Sequence, residues 1–143
     1  MKKNLLTTQI LILSCLFLSS CGGDFPSDTS LLQGYWEIES VEFPDGGHKD
    51  YQISTTIDQF VFESDSTGYR QKVQPRLDGT YTGSGDHEQF TILKRDRQLI
   101  LHFTGLMSEH EEKLLSLNND QLILLNEQNK KYIYQRYEPI DIK

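Results

Sequence analysis

Eight short runs rich in aromatic and aliphatic residues, most of them cut off by a tight-turn signal, constrain this chain more than any other feature. The runs span 35–43, 57–63, 68–74, 87–94, 98–103, 109–117, 121–126 and 130–137. Between them stand Pro44-Asp45-Gly46-Gly47, Ser64-Asp65-Ser66, Leu77-Asp78-Gly79, Arg95-Asp96-Arg97, Asn118-Asn119-Asp120 and Gln128-Asn129. Clusters of that composition end strands. Strands joined by short turns, with no crossover helix, make an antiparallel meander, and eight of them remove their edges by closing into a barrel. The predicted fold is all-β: a small antiparallel up-and-down barrel of about eight strands, with a short helical turn ahead of it.

Three stretches test that reading. Residues 44–55 form a longer loop, and 80–86, rich in Gly, Thr and Ser, reads as a loop in which Thr80-Tyr81-Thr82 is open to brief pairing. In 109–117, Glu111, Glu112 and Lys113 favour helix. The strand reading prevails because 113–117 runs straight into a hairpin-like turn. Upstream, Ser27 or Asp28 caps a helical turn through Leu31 and Leu32, which Gly34 ends.

Period-two alternation names the inward set. It comprises Trp36, Ile38, Phe60, Phe62, Tyr69, Val73, Phe90, Ile92, Leu99, Leu101, Phe103, Leu115, Leu122, Leu124, Tyr132 and Tyr134. Of these, Phe60, Phe62, Tyr69, Phe90, Phe103, Tyr132 and Tyr134 are the candidate pocket lining. A short eight-stranded barrel holds side chains or one small ligand, and these large rings compete with a ligand for the space.

Ahead of the barrel, residues 1–20 have the layout of a secretory signal helix: Lys2 and Lys3, an apolar stretch over 10–18, then Ser19 and Ser20. The apolar stretch is too short to span a bilayer, which takes about 20 residues. Leu18-Ser19-Ser20-Cys21 resembles the lipobox of bacterial lipoproteins. That resemblance implies cleavage after Ser20 and acylation of Cys21 by palmitate-class chains, and several chains anchor stably where one does not. Residues 21–30 then form a polar, lipid-anchored tether, and 31–143 the barrel domain. Gly22 and Gly23 after the cysteine imply delivery to the outer membrane rather than retention in the inner one, with the periplasmic or outer face left open.

The other cysteine, Cys15, lies in the leader, so the mature chain has no intramolecular disulfide and no cysteine-ligated zinc. The hydrophobic core must carry the fold. Losing a 20-residue leader leaves 123 residues, enough for one such core. The leader holds two Lys and no acid, so the net charge of −7 becomes −9. That acidity argues against nucleic-acid partners.

Leu32-Gln33-Gly34-Tyr35-Trp36-Glu37-Ile38 carries a second resemblance. A helical turn followed by Gly-x-Trp at the first strand looks like the lipocalins, and the mature chain is similar to the small lipocalin-like lipoproteins of Bacteroidota. The resemblance implies that Trp36 plugs one end of the barrel and that Arg136, from the last strand, packs across it. The other lipocalin motifs have no match here, and Glu138 to Lys143 offer no counterpart of the usual C-terminal helix.

No catalytic pattern emerges. His48, His87, His102 and His110 lack zinc-type spacing. No Gly-x-Ser-x-Gly elbow is present, and Glu37, Glu39, Glu42 and Asp58 read as an outer barrel face. The expected protein is therefore not an enzyme and has no metal or cofactor. Two functions remain: binding of a small apolar or amphipathic ligand, or interaction with an envelope protein in the manner of small all-β inhibitor lipoproteins. In either case the acylated Cys21 provides the membrane contact.

Overall fold

Strands with one apolar face must bury it, and this chain does so by closing on itself. The computed structural model describes residues 28–105 and 108–138. The expected leader, Cys21, most of the tether and residues 139–143 lie outside them. A 3-10 turn over Thr29–Leu32 comes first. The strands are β1 (Gly34–Glu42), β2 (His48–Asp50), β3 (Ile57–Phe62), β4 (Thr67–Pro75), β5 (Tyr81–Arg95), β6 (Gln98–Thr104), β7 (Glu109–Leu117), β8 (Gln121–Asn126) and β9 (Lys131–Arg136).

Every strand except β2 lies in sequence order around the barrel, and β1 pairs with β9 to close it. All pairings are antiparallel, and β2 is a short outrider on the end of β1. Bulges fall at Ile38/Ser40, Gln71/Val73 and Leu114/Ser116. The first and third add one residue on one side of a ladder, the second sets Lys72 against residues 84–86, and such irregularities bend the strands, which helps so small a barrel to close.

The two ends differ. The turns at 63–66, 96–97 and 118–120 gather at one end, where the 3-10 turn enters. Asp96 and Arg97 both take positive φ, 50° and 60°, the geometry of the tightest hairpin turn. The connections at 43–56, 76–80, 105–108 and 127–130 gather at the other end.

The apolar core fills the first end. Leu32, Trp36, Phe60, Phe90, Leu99, Leu101, Phe103, Leu114, Leu122, Leu124 and Tyr134 form one buried cluster, with Ile38, Phe62, Ile92, Leu117 and Tyr132 packed against it. The rings meet edge-on: Phe90 lies 5.4 Å from Phe62 at 89° and 6.1 Å from Phe103. This is the arrangement that ring quadrupoles favour.

Several local expectations change. Residues 81–86 are not a loop but the start of β5, since Val73, Gln74 and Pro75 pair with Gly83, Thr82 and Tyr81 beyond the bulge. Residues 48–50 form a strand within the expected 44–55 loop. Leu115 is 43 % exposed and Leu114 is buried in its place. The cause is the Leu114/Ser116 bulge, which leaves Leu115 without a partner in β8 and breaks the alternation. Tyr69 faces outward, its ring 5.3 Å from that of His87, because its neighbours Gly68 and Arg70 take the inner face. Val73 is buried opposite Ile57, apart from the central cluster.

Candidate functional site

The plugged end is built from the sequence segment around Trp36. Asp28 caps the 3-10 turn, its Oδ1 accepting from Ser30 N at 3.0 Å. The buried Trp36 Nε1 donates to Leu32 O at 2.9 Å. Arg136 lies over the indole, its guanidinium carbon 3.8 Å from the ring centre. Its nitrogens donate to Leu31 O, Gln33 O and Asn119 O at 2.7, 2.9 and 2.9 Å. One side chain thereby ties the entry segment, the 118–120 turn and the last strand together. Burial holds its pKa below the ordinary arginine value, against the opposing charge of Asp120. Gly34 makes the close approach possible: it sits at φ +119°, and a Cβ there would come 3.1 Å from Arg136 Nη1.

The open end is polar inside. Asp58 on β3, Arg70 and Lys72 on β4, Asp86 and Glu88 on β5, and Gly105 and Ser108 at the β6–β7 connection line a cavity of about 550 Å³. Arg70 is its floor. Nη2 donates to Glu88 Oε2 at 2.9 Å and Nη1 to Glu112 Oε2 at 3.0 Å. The guanidinium lies 4.0 Å from the Phe103 ring centre and 5.9 Å from that of Phe60. Burial alone would lower the Arg70 pKa. The charges of Glu112 and Asp58 and the hydrogen bond to Glu88 outweigh it and push the group above its ordinary value.

Two of the three carboxylates around Arg70 are dry, while Glu88 is partly exposed. Asp58 is 1 % exposed and Glu112 7 %. Lys72 Nζ stands 2.5 Å from Asp58 Oδ1, yet off the hydrogen-bonding direction. The carboxylate is held by that ammonium and by a hydrogen bond with the Tyr134 phenol. Burial first, then the Asp58 charge, push the Tyr134 phenol well above its ordinary value. His110 stacks on Phe103, 4.9 Å between ring centres, with Nε2 3.7 Å from Glu112.

The sequence-derived pocket set divides. Phe60, Phe90, Phe103 and Tyr134 are buried among themselves as the packed floor rather than as cavity wall. Phe62 borders a shallow cleft beside Asp28, and Tyr132 one beside His110. Asp58, expected on the outer face, is inside, because it shares parity with Phe60 on β3. Arg70, Glu88 and Glu112 were missed: parity with Phe90 placed Glu88 inside, whereas the inward reading of Tyr69 and Leu115 put Arg70 and Glu112 on the outer face. Arg70 is two residues from Gly68, Glu88 two from Phe90, and Glu112 two from Leu114.

Among the described residues, no group of three or more His, Cys, Asp or Glu converges to hold a metal. His102 lies between Glu109 and Glu111 at 3.1 and 3.3 Å, away from the cup. Among the described residues no helix is long and apolar enough to cross a membrane.

A closed antiparallel barrel of eight strands, plugged at one end by an Arg-covered Trp and cupped at the other, is lipocalin-like in architecture. No family model matches the sequence, and no curated protein matches it. Solved structures are similar in fold. A lipocalin-like protein from Bacteroides uniformis is 13 % identical, with a TM-score of 0.47 over 75 % of this chain and 99 % of that one. An uncharacterized protein from Bacteroides eggerthii is 14 % identical, with a TM-score of 0.47 over 74 % and 99 %. Lobster apocrustacyanin A1 is 8 % identical, with a TM-score of 0.45 over 80 % and 66 %.

Proposed function

We propose that this chain is a lipid-anchored binding barrel, not an enzyme, and that it holds one small amphipathic molecule in the cup above Arg70. The cavity supports this reading: its volume of about 550 Å³ falls within the ~300–1,000 Å³ usual for ligand sites. An amphipathic ligand suits it better than a purely apolar one. The aromatic side chains pack the lower barrel, and what remains open carries Asp58, Arg70, Lys72 and Glu88.

The anchor belongs to the same proposal. With Cys21 acylated in the outer membrane, seven residues would separate the lipid from Asp28 at the plugged end. Such a tether reaches at most about 25 Å. The plugged end would face the bilayer and the cup would face away from it, open to ligand or partner.

Titration of the protein with N-phenyl-1-naphthylamine, an uncharged amphipathic fluorophore, tests the binding reading. The expected result is saturable enhancement with one site, abolished by Ser108→Trp, which fills the mouth. Enhancement that is absent, or equal in the variant, removes the cup as the site. For the anchor, Cys21→Ser should move the protein from the membrane to the soluble fraction.

One observation favours a second reading, an interaction module for an envelope protein. Ile53 and Leu77 are 86 % and 85 % exposed and line a groove of about 870 Å³ on the outer wall. Replacing both with Asp would release a co-purifying protein while leaving fluorophore binding unchanged if that surface is the docking site.

A further inference from the structure

We infer that the molecule accepted by the cup carries a cationic amine, seated on Asp58 in the position now held by the Lys72 ammonium. The inference rests on the reading of the cup as a ligand site and names the chemistry of its occupant.

Charge balance is the first ground. Asp58, Asp86, Glu88 and Glu112 surround the cup and its floor, against Arg70, Lys72 and the imidazole of His87. An arginine at the base of a barrel suggests an anion site, but this one is already committed. Both terminal nitrogens are on carboxylates, and one face is on Phe103. An anionic ligand would have to displace Glu112, whose side chain is 9 % exposed, and leave a buried carboxylate without its partner.

Asp58 is the second ground. It is buried in the cavity wall, hydrogen-bonded to the Tyr134 phenol, and the cation 2.5 Å from its Oδ1 is the one mobile partner it has. The cation beside it belongs to Lys72, whose side chain is 61 % exposed on a long flexible stem. Such a lysine withdraws to water at little cost. A ligand ammonium is compact, has three donors and can approach Oδ1 along the bonding direction. Its apolar remainder would lie on the methylene stems of Arg70 and Lys72.

The test is calorimetric titration of the full chain with hexylamine, 1-hexanol and hexanoate, which differ only in the head group. The amine should bind at least tenfold more tightly than the alcohol, and hexanoate most weakly. Asp58→Asn should remove the advantage of the amine over the alcohol. Lys72→Gln should tighten amine binding severalfold by removing the competing ammonium. Melting curves of both variants establish that they fold, and the wild-type series stands without them. Hexanoate binding as tightly as the amine, or Lys72→Gln weakening the amine, overturns the inference. If the amine shows no preference while N-phenyl-1-naphthylamine still binds, only this inference falls. If neither binds, the ligand reading falls with it.

Discussion

Arg70 and Glu112, from strands β4 and β7, meet inside the barrel with Nη1 3.0 Å from Oε2. The pair sits where the apolar core gives way to the cup. Removing one partner leaves the other charged and dry. Arg70→Met should therefore cost about 3–5 kcal/mol in chemical denaturation. Arg70→Met combined with Glu112→Leu should recover much of that loss, because two apolar side chains need no partner there.

Gly68 is required for space rather than for backbone freedom. A Cβ on it would lie 2.1 Å from Val61 O and 2.8 Å from Phe90 Cζ. The first is backbone in the neighbouring strand and cannot swing away. Gly68→Ala should destabilise the barrel by about 1–3 kcal/mol or more, seen as a fall in Tm, with near-ultraviolet circular dichroism reporting the disturbed ring packing.

The Trp36 plug depends on the planar fork of Arg136. Arg136→Lys keeps the charge but cannot span Leu31 O, Gln33 O and Asn119 O at once. A loss of about 1–3 kcal/mol is expected from the stacking and the freed carbonyls. Trp36→Ala should cost more, about 3–5 kcal/mol. Amide hydrogen exchange would locate the loosening at residues 29–36 and 118–120.

Tyr134 is expected to contribute most to the alkaline arm of the stability profile, with Tyr81 and Tyr132 shifted in the same direction. Its phenol is held well above the ordinary value of 10.0, so above pH 10 the folded chain keeps a proton that the unfolded chain loses. Its contribution to stability is full below pH 10 and declines as pH rises from there toward the folded value. The slope is at most about 1.4 kcal/mol per pH unit. Tyr134→Phe should flatten that arm of the stability–pH profile; an unchanged slope would assign it to another group.

Much of the fold was legible because its signals are local. Asp28 before Leu31 and Leu32, Asp96-Arg97 between two apolar runs, and Trp36 after Gly34 each act within a few residues. What was not legible depends on partners far along the chain. Thr82, Gly83 and Ser84 look like loop residues, and β4 holds 81–83 extended by pairing beyond a bulge. Tyr69 looked inward because it is aromatic, but the pleat had already given the inner face to Arg70. Asp58 looked outward because it is charged. Its place inside depends on Lys72 and Arg70, on the neighbouring strand, and on Tyr134, far along the chain but only two strands away across the β1–β9 closure. Single-sequence alternation supplies the face, but it does not supply the ion pairs that make a charged residue tolerable there.

Native mass spectrometry of the protein isolated from the cells that make it tests the central claim most directly. The account predicts a population heavier than the protein alone by one small molecule, displaced by hexylamine and lost in the Ser108→Trp variant. A bare protein mass under gentle conditions, unchanged by that variant, would contradict it and move the search to the outer wall around Ile53 and Leu77.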